Sequence, residues 1–433
     1  MSARRAAPRA VLHDLLRLFL GAADHTPRGI DRIDLAYARF LCTSWPGPCL
    51  GVLPTPLGPR LFDRARVLRG LDALERLWQE DTEPAADPVF AHVQARLAGQ
   101  AVPPPPAPPR HALTAVPRVC RLLAATGVAA GQGVAAAPRG AVYLNIGQLG
   151  WAAPFTTRWL ARRPDIRPVF MLHDAIPVER RDLVSGLGHW THRMMLHAVA
   201  RRAAGLIVTT EAAAASVRAA LAARGLAPVP TVGIALPVAP AFLGPAAPAP
   251  LPAVAPYFLV CGAIEPRKNL PMLLDVWQAL RDRSGAAAAA VPALVVAGAL
   301  ARGGAPIQAR LAAAGPSVVA AARLSTPGLR RLMEGARALL MPSLAEGFGL
   351  PIVEALALGT PVLASDLPAH REAGGSSAAY LDPADPAAWT EAVAALAGDG
   401  AALAAARRRA AAFRPFTEDA YFARAGAFLA DLA

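Results

Sequence analysis

The stretch LMPSLAEGFGLPIVEALALG, residues 340–359, decides the reading of this chain. It opens as the end of a buried strand at Leu340 and Met341, passes through a loop holding Gly347 and Gly349, and continues as a helix. Pro351 suits a first helical position, where a missing N–H costs nothing. Gly359 suits the residue just past the end, where a left-handed backbone is needed. The segment Gly347, Phe348, Gly349 and Leu350 therefore lies at the positive end of a helix with unpaired backbone N–H groups. Such a place favours an anion, and glycines let the backbone approach it closely. Glu346 stands before this loop and Glu354 one turn into the helix. Carboxylates are poor phosphate ligands but good acceptors for hydroxyls. The ligand that fits is a phosphate flanked by hydroxyl-bearing groups, which describes a sugar nucleotide.

The segment PSLAEGFGLPIVEALALGTPVLAS, residues 342–365, resembles the E-x7-E segment of retaining glycosyltransferases of family 4. YFLVCGAIEPRKNLPMLLDVW, residues 257–277, is similar to the opening of that family's donor-binding domain. The resemblance implies an α/β protein of the GT-B fold: two Rossmann-like, doubly wound domains facing a cleft, with a C-terminal helix crossing back to the first. Most of its specificity lies in the C-terminal segment.

Composition agrees with two domains. A chain of 433 residues is long for one domain, and residues 244–252, GPAAPAPLP, read as a linker. The expected division is a first, acceptor-binding domain over 1–243, a linker over 244–256, a nucleotide-sugar domain over 257–412 and a terminal helix over 413–433. The 54% hydrophobic content is inflated by alanine, and no run of about 20 large apolar residues suggests a membrane span. Cys42, Cys49, Cys120 and Cys261 lack metal-type spacing, nothing marks a signal peptide, and the expectation is a cytoplasmic protein. The net charge of +13 admits nucleic acid, an anionic membrane or anionic substrates, although heavy use of Ala, Arg, Pro and Gly together also produces it. Among 44 basic residues Lys268 is the one lysine, and it lies in the Arg-Lys-Asn segment that carries the resemblance. An ammonium and a guanidinium are not interchangeable at a phosphate.

In chain order, the leucines of residues 8–20 have helical spacing and carry no chemistry. Thr26 to Arg32 opens a helix from Ile33 to Leu41 and resembles the family's glycine-bearing first loop; Gly29, Ile30 and Arg32 are its cleft candidates, and Arg28 departs from the small or hydroxyl residue usual in the family before the glycine. Residues 50–100 read as a strand then a helix, and Pro103 to Pro109 as an extended surface run. Buried strands follow at Ala141–Ile146 and Pro168–Leu172, the second ending in His173 and Asp174 where open α/β sheets place ligands. His173 resembles the family's histidine that faces the donor sugar, and Asp174 is a cleft candidate. Thr191 to Ala204 is a basic helix pattern with Met194, Met195 and Leu196, which admits a membrane-facing surface as well as a solvated face. Strands are expected at 205–210 and 231–234, then at 257–262, 293–297, 318–324, 338–341, 361–364 and 378–381. The first strand of the second half leads to Glu265, Arg267 and Lys268, with Asn269 placed to cap the next helix. Ser325, Thr326, Ser365 and Asp366 are loop positions the family uses near the nucleotide.

The function implied is transfer of a hexose, with retention, from a nucleotide diphosphate sugar to a glycan or lipid-linked acceptor. The form of residues 257–270 resembles mannosyltransferases that use GDP-mannose in surface-polysaccharide synthesis. Arg267, Lys268 and the Gly347–Leu350 amides would stabilise the leaving diphosphate. Glu346 would hold sugar hydroxyls, Glu354 the ribose, and His173 would approach from across the cleft. No Asp-x-Asp occurs, so no metal and no other cofactor is expected. Peripheral contact with the inner face of an anionic membrane fits the charge; nucleic acid does not, since bases lack interleaved aromatics. A glycoside hydrolase would use Glu346 and Glu354 but needs no basic pair. A Rossmann dehydrogenase needs G-x-G-x-x-G, which Cys261-Gly-Ala-Ile-Glu-Pro does not supply. The remaining alternative is a non-catalytic or degenerate nucleotide-sugar or anion-binding protein.

Overall fold

The computed structural model describes residues 9–22, 27, 29–55, 58–79, 87–103, 105, 111–148, 154–244, 255–284, 291–301 and 303–432. The linker between its two ends, Thr26, Arg28, most of the Pro103–Pro109 run and the alanine tract from 286 lie outside the described residues.

Two sheets organise the chain. The first holds β1 (Val11–Asp14), β2 (Cys49–Leu53), β3 (Arg60–Asp63), β4 (Gln132–Gly133), β5 (Val142–Asn145), β6 (Arg167–Met171), β7 (Gly205–Val208) and β8 (Thr231–Gly233). Their order is β4-β3-β2-β1-β5-β6-β7-β8, and only β3 runs antiparallel to its neighbours. The second sheet is parallel throughout, with β9 (Tyr257–Cys261), β10 (Ala293–Ala297), β11 (Val318–Ala321), β12 (Leu339–Met341), β13 (Val362–Ser365) and β14 (Ala379–Leu381) in the order β11-β10-β9-β12-β13-β14. Strands covered on both faces read as continuous apolar runs, and every residue of β9 is buried. All six expected strands of the second half are present.

The first half departs from the sequence reading at its start. Residues 11–14 are not helical: they form β1, the central strand, paired with β2 and β5. Helix begins only at Leu16 and runs to Gly21. Apolar Val11 and Leu12 are followed by His13 and Asp14, so the strand carries its polar pair inside, at its C-terminal end.

In each sheet the strand order reverses beside the first strand, between β1 and β5 and between β9 and β12. Loops leaving the carboxyl ends of those strands diverge to opposite faces and open a crevice. The two crevices face each other, because the N-terminal helix Gly29–Thr43 abuts the helix Leu350–Ala357 of the second domain. A side chain on Gly29 would meet Leu350 Cδ1 at 2.6 Å.

The terminal helix Glu418–Asp431 packs on the first domain. Phe422 stacks on Phe40 with ring centroids 4.4 Å apart, and Tyr421 meets Tyr37 edge to face. The helix Pro88–Leu97, which the division at 243 puts in the first domain, instead docks on the second. Asp87 caps its amides and also accepts from Ser325 N at 2.8 Å, and Arg96 donates to Pro316 O.

The Tyr37 and Tyr421 hydroxyls lie 2.9 Å apart in full burial. Removing one leaves the other unpaired, which costs about 1–3 kcal/mol, whereas removing both leaves no orphan. We therefore expect Tyr37→Phe and Tyr421→Phe each to destabilise in urea unfolding, and the double variant to lose less than the sum of the two.

Candidate active site

The loops at the second switch point bring four charged side chains together. After β9 the chain turns at Gly262, whose φ of +138° and lack of a side chain let the Lys268 stem pass; a Cβ there would lie 2.9 Å from Lys268 Cε. The short turn Pro266–Lys268 then presents Arg267 and Lys268. After β12 the loop presents Glu346. Lys268 Nζ donates to Glu346 Oε1 at 2.5 Å, and Arg267 donates to Oε2 at 2.5 Å and to the Ala345 carbonyl at 3.0 Å. Ser343 also donates to Glu346, and Glu265 accepts from Arg267.

Glu346 is only 8% exposed and Lys268 12%. Burial alone would raise the Glu346 carboxyl, but the Lys268 and Arg267 charges outweigh it and hold the group well below the usual carboxylate range. Burial likewise works against the Arg267 charge, and Glu346, Glu265 and Asp174 more than reverse that. The pair thus stays ionised in a poorly hydrated place. Arg267 and Lys268, read from sequence as diphosphate ligands, are charge-paired with the expected sugar-binding carboxylate.

The loop 347–350 is built as its glycines require. Gly349 has a φ of +107° at the start of the helix Leu350–Ala357, with Leu350 first and Pro351 second, and Gly359 past its end has a φ of +75°. Its Gly347 carbonyl accepts from Thr209 at 2.8 Å and Thr210 at 3.0 Å across the cleft. A Cβ on Gly347 would lie 2.7 Å from His173 O, so His173 and Asp174 sit directly against this loop. Glu372 closes the same edge by accepting from the Glu211 and Ala212 amides. Glu354 is buried and accepts from Arg32 at 3.1 Å, and Arg32 also donates to Thr326. Burial raises the Glu354 carboxyl against the pull of Arg32. Ile30 follows Gly29 in the first turn of the N-terminal helix. Asn269 has a left-handed backbone, and its amide donates to Pro383 O.

Two histidines flank the loop, one from each domain. The His173 ring bonds to the Ile146 carbonyl, and burial and Arg17 push its pKa down to about 4. His370 is fully buried, its Nδ1 lies 2.9 Å from Ser365 O, and its ring packs 3.2 Å from where a Gly349 Cβ would stand. Burial lowers its pKa too, against the attraction of Glu346. Each ring bond to a carbonyl uses the N–H, which leaves the other nitrogen of a neutral ring as an acceptor. Both Nε2 atoms, and Ser365 Oγ, are buried without a partner. His370 was not singled out by sequence, where it reads as one more polar residue in a loop; only its fold neighbours reveal it.

A second polar cluster fills the first switch point. His13 Nε2 lies 3.0 Å from Asp34, Tyr143 donates to Asp14 at 2.5 Å, and Arg17 donates to Asp31. Among the described residues no group of three His, Cys, Asp or Glu side chains is arranged to hold a metal ion.

Residues 255–399 match the model of group 1 glycosyl transferases. The second domain is a group 1 glycosyltransferase domain. Over 65 residues the chain is 43% identical to the O-antigen chain mannosyltransferase RfbU of Salmonella typhimurium, a match spanning 15% of this chain and 18% of that enzyme. Sucrose-phosphate synthase from Thermosynechococcus elongatus superposes with a TM-score of 0.59 at 17% identity, over 97% of this chain and 98% of that one. The N-terminal domain of Candida albicans trehalose-6-phosphate phosphatase gives 0.52 at 11% identity, over 100% and 98%. S. aureus TarM, solved with UDP bound, gives 0.50 at 13% identity, over 67% of this chain and 55% of that one. At these identities the likeness is one of fold, and the fold of the glycosyltransferase domain and its partner is GT-B.

Burial pushes the Asp14 carboxyl up to about 6, against hydrogen bonds from Tyr143 and Leu16, while the unfolded chain titrates near 3.8. The folded state binds this proton more tightly, so stability falls as pH rises between those values and stays lower above them, by on the order of 3 kcal/mol. We expect Asp14→Asn to raise the urea midpoint near neutral pH and to lose that gain below about pH 4.

Proposed function

We propose that the protein is a retaining glycosyltransferase of family 4 that transfers a hexose from a nucleoside diphosphate sugar to a hydroxyl of a glycan or lipid-linked acceptor. The observation that carries this is the Arg267–Glu346–Lys268 cluster, set at the sheet's switch point beside the Gly347–Leu350 helix start. Two cations and an ionised carboxylate on adjacent loops suit a ligand with a diphosphate and hydroxyls side by side. The diphosphate takes over Arg267 and Lys268, and Glu346 turns its freed oxygens to sugar hydroxyls. Glu354 exchanges Arg32 for the ribose.

As the bond from C1 to the diphosphate breaks, its electron pair passes to the phosphate oxygen. Arg267, Lys268 and the loop amides meet that charge already oriented, which is where preorganised electrostatics lowers a barrier. The acceptor oxygen bonds to C1 on the same face, and its proton passes to the departing phosphate. Neutral His173 and His370 offer acceptors to sugar hydroxyls from the two sides. The cations supply the charge a metal would otherwise provide, so the proposed reaction is metal-independent. Mannose from GDP-mannose, in cell-surface polysaccharide synthesis, is the assignment favoured by the similarity to the O-antigen enzyme. We place the reaction at the cytoplasmic side of the membrane.

Thermal unfolding with EDTA and a panel of nucleoside diphosphates and their sugars tests this. One base family should raise the midpoint by mass action, and Lys268→Ala should abolish the rise. His370→Asn, which keeps an amide for Ser365 O, should bind the nucleoside diphosphate but lose the extra affinity given by the sugar; His370→Gln, which places an acceptor near Nε2, should keep it. No rise with any nucleotide would overturn the transferase reading. Binding without product would leave the non-catalytic alternative.

A further inference from the structure

The helix Gly186–Arg202 between β6 and β7 breaks the usual division of a surface helix into an apolar and a polar side. Met195, Leu196 and Val199 turn inward and are buried. On the opposite side Leu187, Trp190 and Met194 are 55%, 52% and 40% exposed. At 3.6 residues per turn these three fall on one outward stripe, and Arg201 in the last turn continues it. Arg193 and Arg202 flank the stripe, also exposed, and the helix contains no acidic residue. An exposed tryptophan, leucine and methionine on one stripe, of a helix whose only charges are arginines, form an apolar surface of the kind that marks interaction sites.

The inward flank of the same helix borders the cleft. His192, two residues from Trp190, is close enough to Asp174 to favour its charge, and Asp174 lies against Gly347. His189 is held to the Pro177 carbonyl at 2.8 Å, which fixes the helix start to the loop that follows His173 and Asp174. The patch and the mouth of the site are therefore sides of one element.

We propose that the outer face of Gly186–Arg202 docks on an anionic lipid surface, with Trp190, Leu187 and Met194 entering the interface and Arg193 and Arg201 meeting lipid phosphates. Charge complementarity selects this occupant: the whole chain carries +13, and the helix's own charges are all positive. The attachment proposed is peripheral, made by a helix lying on the surface; no helix among the described residues is long and apolar enough to cross a membrane. Tryptophan at the headgroup level and arginines around an apolar wedge are the composition that such attachment uses. The docking surface stands on its own; joined to the transferase reading, it assigns the acceptor to the lipid-anchored class, delivered at the Asp174 side of the cleft.

Vesicle flotation without any nucleotide tests the surface separately from the transferase reading. The full chain should float with phosphatidylcholine–phosphatidylglycerol vesicles and not with phosphatidylcholine alone, and added salt should release it. Replacing Leu187, Trp190 and Met194 together by serine should weaken partitioning at least about tenfold. Arg193→Gln with Arg201→Gln should weaken it roughly fivefold for each charge. These side chains are exposed, so the unfolding midpoint and nucleotide-induced stabilisation should not move. No flotation with anionic vesicles, or flotation unaffected by the serine variant, would overturn the proposal; so would capture of a protein partner by this face in place of vesicles.

Discussion

A carboxylate that is buried and ionised must be paired, and in this protein the pairing of Glu346 with Arg267 and Lys268 sets what the second domain can do. Removing a partner from a buried ion pair costs about 3–5 kcal/mol, because it strands an uncompensated charge. A ligand that displaces any of these contacts must therefore supply a new ion pair or hydrogen bonds to the group it frees. In the proposed function a diphosphate replaces Glu346 on the cations, and sugar hydroxyls take the place of the cations on Glu346. The same electrostatics that holds the two loops together makes them receptive to a ligand carrying both kinds of group.

The fold exists to bring those loops to one point. A parallel sheet whose order reverses between β9 and β12 sends the Lys268 and Glu346 loops to the same crevice from different faces. Glycines at 29, 262 and 347 then allow contacts that a methyl group would block. Across the cleft the first domain adds Thr209, Thr210, His173 and Arg32, each contacting the 347–350 loop or its helix. The Pro88–Leu97 excursion joins the domains through Asp87 and Ser325, and the terminal helix packs on the first domain.

Much of the second domain was legible in sequence because buried parallel strands are short apolar runs punctuated by glycine and proline, and because Gly359 and Pro351 mark helix ends by backbone geometry alone. β1 was not legible. Four residues with a polar end, followed by leucines at helical spacing, present the wrong period to any window long enough to be informative. The candidate site was legible where a local pattern carries it, as with Glu346, Glu354 and Gly347–Leu350. It was not legible where chemistry arises from chain segments far apart: the Lys268–Glu346 bond, the Arg32–Glu354 bridge between domains, and the unpartnered Nε2 of His370 exist only once the sheets are assembled. The exposed stripe on Gly186–Arg202 is a similar case, since sequence shows methionine and leucine there but not which of them face out.

The most direct test of the account is a crystal structure of the protein with the nucleoside diphosphate that stabilises it. The account predicts the diphosphate within hydrogen-bond distance of Lys268 Nζ, Arg267 and the Gly347–Leu350 amides, with Lys268 no longer bonded to Glu346. A nucleotide bound elsewhere, with the Lys268–Glu346 pair intact, would contradict it.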